Sequence, residues 1–199
     1  MRLPIPGVDL PQVLSAIDFL REVSLGQYPD LAGKRVMVLG GGDVAMDAAC
    51  TALRVGTRQA REKGSAAPKV HIVYRRSRAE APAQPAELRQ AEDEGVLFDF
   101  LTTPVEITAG GDGNVCGMRC VRMELGEPDE SGRRRPMPIE GSEFDMSADV
   151  VIFAIGARPD LSCLPGEVAR GRGDTVAVDP VTLATDVPGL FAGGDAVTG

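Results

Sequence analysis

Apolar and polar positions along this chain switch between two periods, and the switches predict its elements. Residues 3–11 are proline-rich and read as a linker. Val13, Leu14, Ile17, Leu20 and Val23 then recur at helical spacing, predicting a helix that opens near Pro11 and ends near Gly26. Arg35 to Leu39 is a short apolar run and predicts a strand, after which Ala45, Ala48, Ala49 and Ala52 predict a helix from Asp43 to about Arg54. The polar stretch from Thr57 to Pro68 reads as an insertion. A second strand is expected at Lys69 to Tyr74, a short helix at Pro85 to Glu94 stopped by Gly95, and a third strand at Val96 to Leu101.

From Val105 to Met146 the period falls to two, interrupted at Gly111-Asp112-Gly113 and at Glu127-Pro128-Asp129-Glu130-Ser131-Gly132. That pattern predicts antiparallel strands joined by hairpin turns. The run from Asp149 to Gly156 is continuously apolar and reads as a buried parallel strand returning to the main sheet. The expected fold is α/β with three layers: a mostly parallel sheet, helices on one face and an antiparallel crossover sheet on the other.

Val36-Met37-Val38-Leu39-Gly40-Gly41-Gly42-Asp43-Val44-Ala45 is a strand that breaks into glycines and opens a helix, the pattern with which a dinucleotide site begins. Gly40 permits the tight turn, Gly42 lets the backbone approach a pyrophosphate, and Ala45 lets helix and strand lie close. The first-turn amides are unpaired donors at the positive end of a helix dipole. The plainer alternative is a glycine-rich turn in another α/β protein, with Asp43 serving as an N-cap.

The second strand ends in Tyr74-Arg75-Arg76-Ser77-Arg78. In a dinucleotide fold this position meets the adenosine ribose, where an acid holds a free 2′-hydroxyl and arginine accommodates a 2′-phosphate. The acid is missing, so Arg75 and Arg76 point to the phosphorylated cofactor. A solvated basic turn is the competing interpretation. By the same logic Arg133-Arg134-Arg135, in a loop, is expected to stay a surface turn.

Composition narrows the chemistry further. At 199 residues the chain is long enough for a core without staples. A formal charge of −8 argues against nucleic acid as a partner. Cys50, Cys116, Cys120 and Cys163 show neither a C-x-x-C pair nor zinc-ligand spacing, so reduced, structural thiols in a cytoplasmic protein are expected. Cys116 and Cys120, four apart in a predicted strand, are expected to share one face. His71 is the one histidine and sits inside a predicted strand, leaving almost nothing for histidine-based acid–base, metal or triad chemistry. No run reaches the length of a membrane span.

Gly-Gly-Gly-Asp at 40–43, Tyr-Arg-Arg at 74–76 and Ala-Ile-Gly-Ala-Arg-Pro-Asp at 154–160, in that order, resemble the NADPH-binding part of two-dinucleotide flavoprotein reductases, above all the glutamate synthase small-subunit family. Leu3-Pro4-Ile5-Pro6-Gly7 with Ser15 to Leu20 resembles the entry into that domain. Pro188 to Asp195 resembles the family's flavin motif. The resemblance implies a Rossmann-like domain in which Gly40, Gly42 and the amides of Asp43 and Val44 hold the pyrophosphate, while Arg75 and Arg76 hold the 2′-phosphate and adenine. It implies a nicotinamide-side position for Asp47, a loop beside the cofactor at Gly156, and an FAD ribityl contact at Gly194 and Asp195. Ala81-Pro82 departs from the Met-Pro often found in relatives.

The same resemblance implies an organisation. Residues 1–29 would lead in from a flavin domain, 30–158 would bind NADPH, and 159–199 would return into a truncated FAD domain. With no second glycine fingerprint and no cysteine-rich iron–sulfur segment, the chain is expected to be a fragment without turnover of its own. Its partners would be the missing FAD half and an electron-accepting subunit or domain. An apolar face near Val187 to Ala196 is expected to be left uncovered. The missing C-x-x-C disfavours a thioredoxin reductase. Two further readings stay open: a self-contained NADP-dependent dehydrogenase, for which no catalytic set is found near Gly156, and a non-catalytic NADP(H)-sensing domain.

Overall fold

The computed structural model describes residues 3–128, 132–156 and 160–198. In chain order its elements are β1 (Val13–Ser15), α1 (Ala16–Ser24), β2 (Arg35–Leu39), α2 (Asp43–Lys63), β3 (Lys69–Tyr74), a 3-10 turn (Arg78–Glu80), α3 (Pro85–Glu94), β4 (Leu97–Phe100), β5 (Thr102–Ala109), β6 (Val115–Pro128), β7 (Arg134–Pro138), β8 (Phe144–Ser147), β9 (Val150–Phe153) and α4 (Asp195–Thr198). Residues 2–155 and residues 156–199 form two compact units.

In the first unit β1, β9, β2, β3 and β4 make a five-stranded sheet in that order, every neighbouring pair parallel. Its strands are apolar on both faces because both are covered. Val36, Val38, Val70, Ile72, Val150 and Ile152 face the helices, packing with Ala45, Ala48, Ala49 and Ala52 of α2. Met37, Leu39, Val73, Val151 and Phe153 face the other way, against Ile107, Val115, Met118 and Cys120 of the antiparallel strands β5 to β8. Alternation along each strand therefore builds two cores, one per face. The three-layer arrangement expected from the sequence is present.

The differences from expectation have physical causes. Val13–Ser15 pairs with β9 as a strand, and the helix begins after Ser15, whose side chain accepts from the Asp18 amide; sheet pairing outweighs the local helical period. The segment before it is packed, not a free linker: Leu3, Ile5, Val8 and Leu10 lie against the second core, and the Pro6 carbonyl accepts from Ile107. The stretch from Thr57 is no insertion, since α2 runs on to Lys63 and ends at Gly64 with φ +65°. Within α2, a Cβ on Gly56 would meet Pro68 Cγ at 2.6 Å, so the helix is small where it packs against Pro68 and Leu31. Gln59 then repays the longer helix by accepting from Leu31 N at 2.8 Å and donating to Pro29 O at 3.0 Å.

Arg134 and Arg135 belong to β7 rather than to a turn. Residues 129–131 of that hairpin lie outside the described residues. Cys116 is exposed and Cys120 buried, because the β5–β6 register shifts between Thr108 and Ala109 and breaks strict alternation. In the unit 156–199, Leu161, Val168 and Val176 form a small core. Val181, Leu183 and Phe191 are exposed there, Phe191 by 64%. Among the described residues no helix is long and apolar enough to cross a membrane.

Candidate nucleotide-binding site

The turn between β2 and α2 is built from main chain pressed against two neighbours. Gly40 has φ +151°, and a Cβ on it would stand 2.5 Å from the Ala154 carbonyl oxygen at the end of β9. Gly41 lies under the Tyr74 ring, where a Cβ would come within 2.6 Å of Cδ2. Gly42 is the N-cap of α2 and carries no side-chain cap bond; a Cβ on it would meet Pro82 Cγ at 3.7 Å, ordinary contact. Gly42 is thus the least crowded of the three, while Gly40 and Gly41 are fixed from behind. Among the described residues the Asp43 and Val44 amides meet no protein acceptor, whereas Ala45 N donates to Gly42 O at 2.9 Å.

Asp43 is the first helical residue rather than the N-cap, and its Oδ1 accepts from the Gln84 amide at 2.9 Å, at the start of α3. Its charge is thereby engaged by the 77–84 segment. Val44 is partly exposed, Ala45 is buried against the sheet, and Asp47 is exposed on the next turn of α2. Tyr74 and this segment are contributions that the sequence reading missed. Tyr74 Oη donates to Glu80 O at 3.0 Å, and Ala83 N donates to Gly41 O at 3.0 Å, so the segment is tied to the glycine turn at both ends. An aromatic residue closing the strand opposite three glycines was the available signal.

At the exit of β3 the arginines separate. Arg75 is exposed. Arg76 is 5% exposed, and its Nε donates to the Arg134 carbonyl of β7 at 2.8 Å. Arg78 forms a two-point ion pair with Glu92 of α3, which raises the arginine's pKa and lowers that of the glutamate, the shared hydrogen bond being the main cause of both. The Arg76 carbonyl accepts from Leu101 N at 3.1 Å, and Leu101, with φ +51°, passes its own carbonyl to Met123 N at 2.8 Å. The glycine turn and the arginine exit lie at the carboxyl ends of adjacent strands, the edge where open parallel sheets take ligands.

Gly156, Gly194 and Asp195 fall in the unit 156–199. Gly156 and Gly194 have φ +58° and +62°, and Asp195 is exposed at the start of the short α4. Ala157, Arg158 and Pro159 of the third motif lie outside the described residues. His71, half-buried on the crossover-sheet face of β3, contacts Asp99 of β4 at 2.7 Å. Cys120 is fully buried, and loss of water, reinforced by the Asp99 carboxylate, pushes its thiol up to about 12, so it offers no thiolate at neutral pH. Among the described residues no group of three or more His, Cys, Asp or Glu could hold a metal.

Comparison with known proteins follows the same lines. The family model described as pyridine nucleotide-disulphide oxidoreductase matches residues 1–199. The chain is 53% identical over 186 residues to the NADP(+)-dependent formate dehydrogenase subunit beta of Moorella thermoacetica, covering 94% of this chain and 25% of that protein. It is 40% identical over 210 residues to the glutamate synthase [NADPH] small chain of Azospirillum brasilense, covering 98% and 41%. The chain thus spans a quarter to two fifths of the length of these curated relatives. Among solved structures, Mycobacterium tuberculosis FprA in complex with NADPH superposes with TM-score 0.63 at 22% identity over 88% of this chain and 51% of that one. The thioredoxin reductase of T. acidophilum superposes with TM-score 0.68 at 20% identity over 100% and 55%. At such identities these two structures establish a shared fold.

Proposed function

The chain belongs to the pyridine nucleotide-disulphide oxidoreductase family, and on that premise we propose that residues 2–155 are the NADPH-binding module of an FAD-dependent oxidoreductase of the glutamate synthase small-subunit kind. The observation that carries this is the Gly40–Gly42 turn, held from behind by Ala154 and Tyr74, opening into uncapped amides beside an exposed arginine.

The residues fit the cofactor. Gly40, Gly42 and the amides of Asp43 and Val44 would hold the pyrophosphate, with Ala45 keeping the helix close to the strand. Arg75 and Arg76 mark the end that takes the 2′-phosphate and adenine, and Asp47 the nicotinamide side. Bound NADPH supplies a hydride, for which the acceptor would be flavin N5. The chain's part is to bind and orient the cofactor. In the unit 156–199, Gly156 would lie in the loop beside the cofactor, and Gly194 and Asp195 would contribute to an FAD half that needs further chain. One of these relatives is named as a subunit and the other as a small chain, which supports transfer of electrons to a partner.

Calorimetric titration with NADPH and NADH tests the reading. NADPH is expected to bind at least about tenfold more tightly, the size of one charge-assisted phosphate contact. Equal binding of both nucleotides, or hydride transfer by this chain to a dye without added flavin, would overturn it.

A further inference from the structure

We propose that the two adjacent arginines divide the work: Arg75 contacts the 2′-phosphate, and Arg76 is a positioning residue that ties the end of β3 to the crossover sheet. This rests on the NADPH reading above. Arg76 is 5% exposed and offers a ligand almost no surface, while its Nε donates to Arg134 O at 2.8 Å. Arg134 is itself fixed, its Nη2 donating to Leu125 O at 2.6 Å where the β6–β7 register slips between Leu125 and Pro128. The Arg76 main chain is gripped as well, through Leu101 N and, beyond it, Met123 N.

Leu101 holds that grip in a left-handed conformation at φ +51°, unfavourable for a leucine. Strain kept at a junction indicates surroundings that over-determine it, here a residue that joins β4 to β5 and is bonded to both the Arg76 carbonyl and the Met123 amide. Arg75, by contrast, is exposed and makes no hydrogen bond or ion pair with the described residues. A residue held at side chain and carbonyl, next to an untied guanidinium, has the geometry of a support.

The test is titration of the 199-residue chain with 2′,5′-ADP and with 5′-AMP, which lacks the 2′-phosphate. Arg75→Ala examines the underlying reading: it is expected to weaken 2′,5′-ADP about tenfold and to leave 5′-AMP within about twofold. Glutamine carries its amide N–H the same number of bonds from Cα as arginine Nε, so Arg76→Gln keeps the bond to Arg134 O without the charge. Lysine keeps the charge but moves the donor one bond further. Arg76→Gln should therefore stay within about twofold of wild type for 2′,5′-ADP, and Arg76→Lys should fall about fivefold or more. The opposite order, or equal effects of the two, overturns the division of labour. Wild-type chain that binds both probes equally overturns the NADPH reading instead. Should an Arg76 variant fail to fold, nitrogen-15 NMR of the wild type decides: an Arg76 Nε–H signal that stays put as 2′,5′-ADP saturates supports the inference, and one that moves on binding refutes it.

Discussion

The glycine turn and the arginine exit sit at the ends of neighbouring strands and are made in opposite ways. The first is main chain: three residues without Cβ, two of them pressed against Ala154 and Tyr74, followed by two amides with no protein acceptor among the described residues. The second is side chain: one arginine exposed, one buried against β7, one paired with Glu92. A main-chain site is fixed by what cannot be added to it, whereas a side-chain site depends on elements far away in sequence. The two should therefore fail differently.

The largest effect is expected at the turn. Gly41→Ala forces a Cβ to 2.6 Å from the Tyr74 ring, an overpacking cost of about 1–3 kcal/mol, and should abolish binding of NADPH and NADH alike. Calorimetry with both nucleotides and a thermal melt check it; retained binding of either would break the comparison. Next comes Arg75→Ala, expected to cost NADPH about tenfold and NADH nothing measurable, since one charge-assisted contact is lost. Tyr74→Phe tests the tie between the two regions: it keeps the ring on Gly41 and removes the bond to Glu80 O, at about 1 kcal/mol. Faster amide exchange at Ala83 is the expected sign, and unchanged exchange would show the 77–84 segment to be held by other means.

The smallest effect lies at the opposite end of the sheet, where Arg35 and Asp149 pair through two short bonds. Hydrogen bonding to Arg35 holds the Asp149 carboxyl down at about 2. Because its folded pKa lies below the ordinary value near 3.9, the pair contributes fully above that pH. The contribution is lost as pH falls from about 4 to about 2. With Arg35 42% exposed, screening limits it to about 1 kcal/mol or less. Asp149→Asn should flatten the melting temperature over that window and leave nucleotide affinity unchanged at neutral pH.

How far each region was legible follows from its construction. The bounds of Arg35–Leu39, Lys69–Tyr74 and Pro85–Glu94, and the triple glycine, could be read from local pattern, because strand period, helix stop and absence of Cβ are properties of neighbours in sequence. The turn from strand to helix and its uncapped amides were legible for the same reason. What the sequence could not show was any partner more than a few residues away. Val13–Ser15 became a strand because β9 lay beside it, α2 ran to Lys63 because Gln59 found Leu31 and Pro29, and Arg134 left the turn for β7. Tertiary structure alone separated Arg75 from Arg76, two identical side chains in adjacent positions, because successive residues leaving a strand point to opposite sides and β7 stood on one of them.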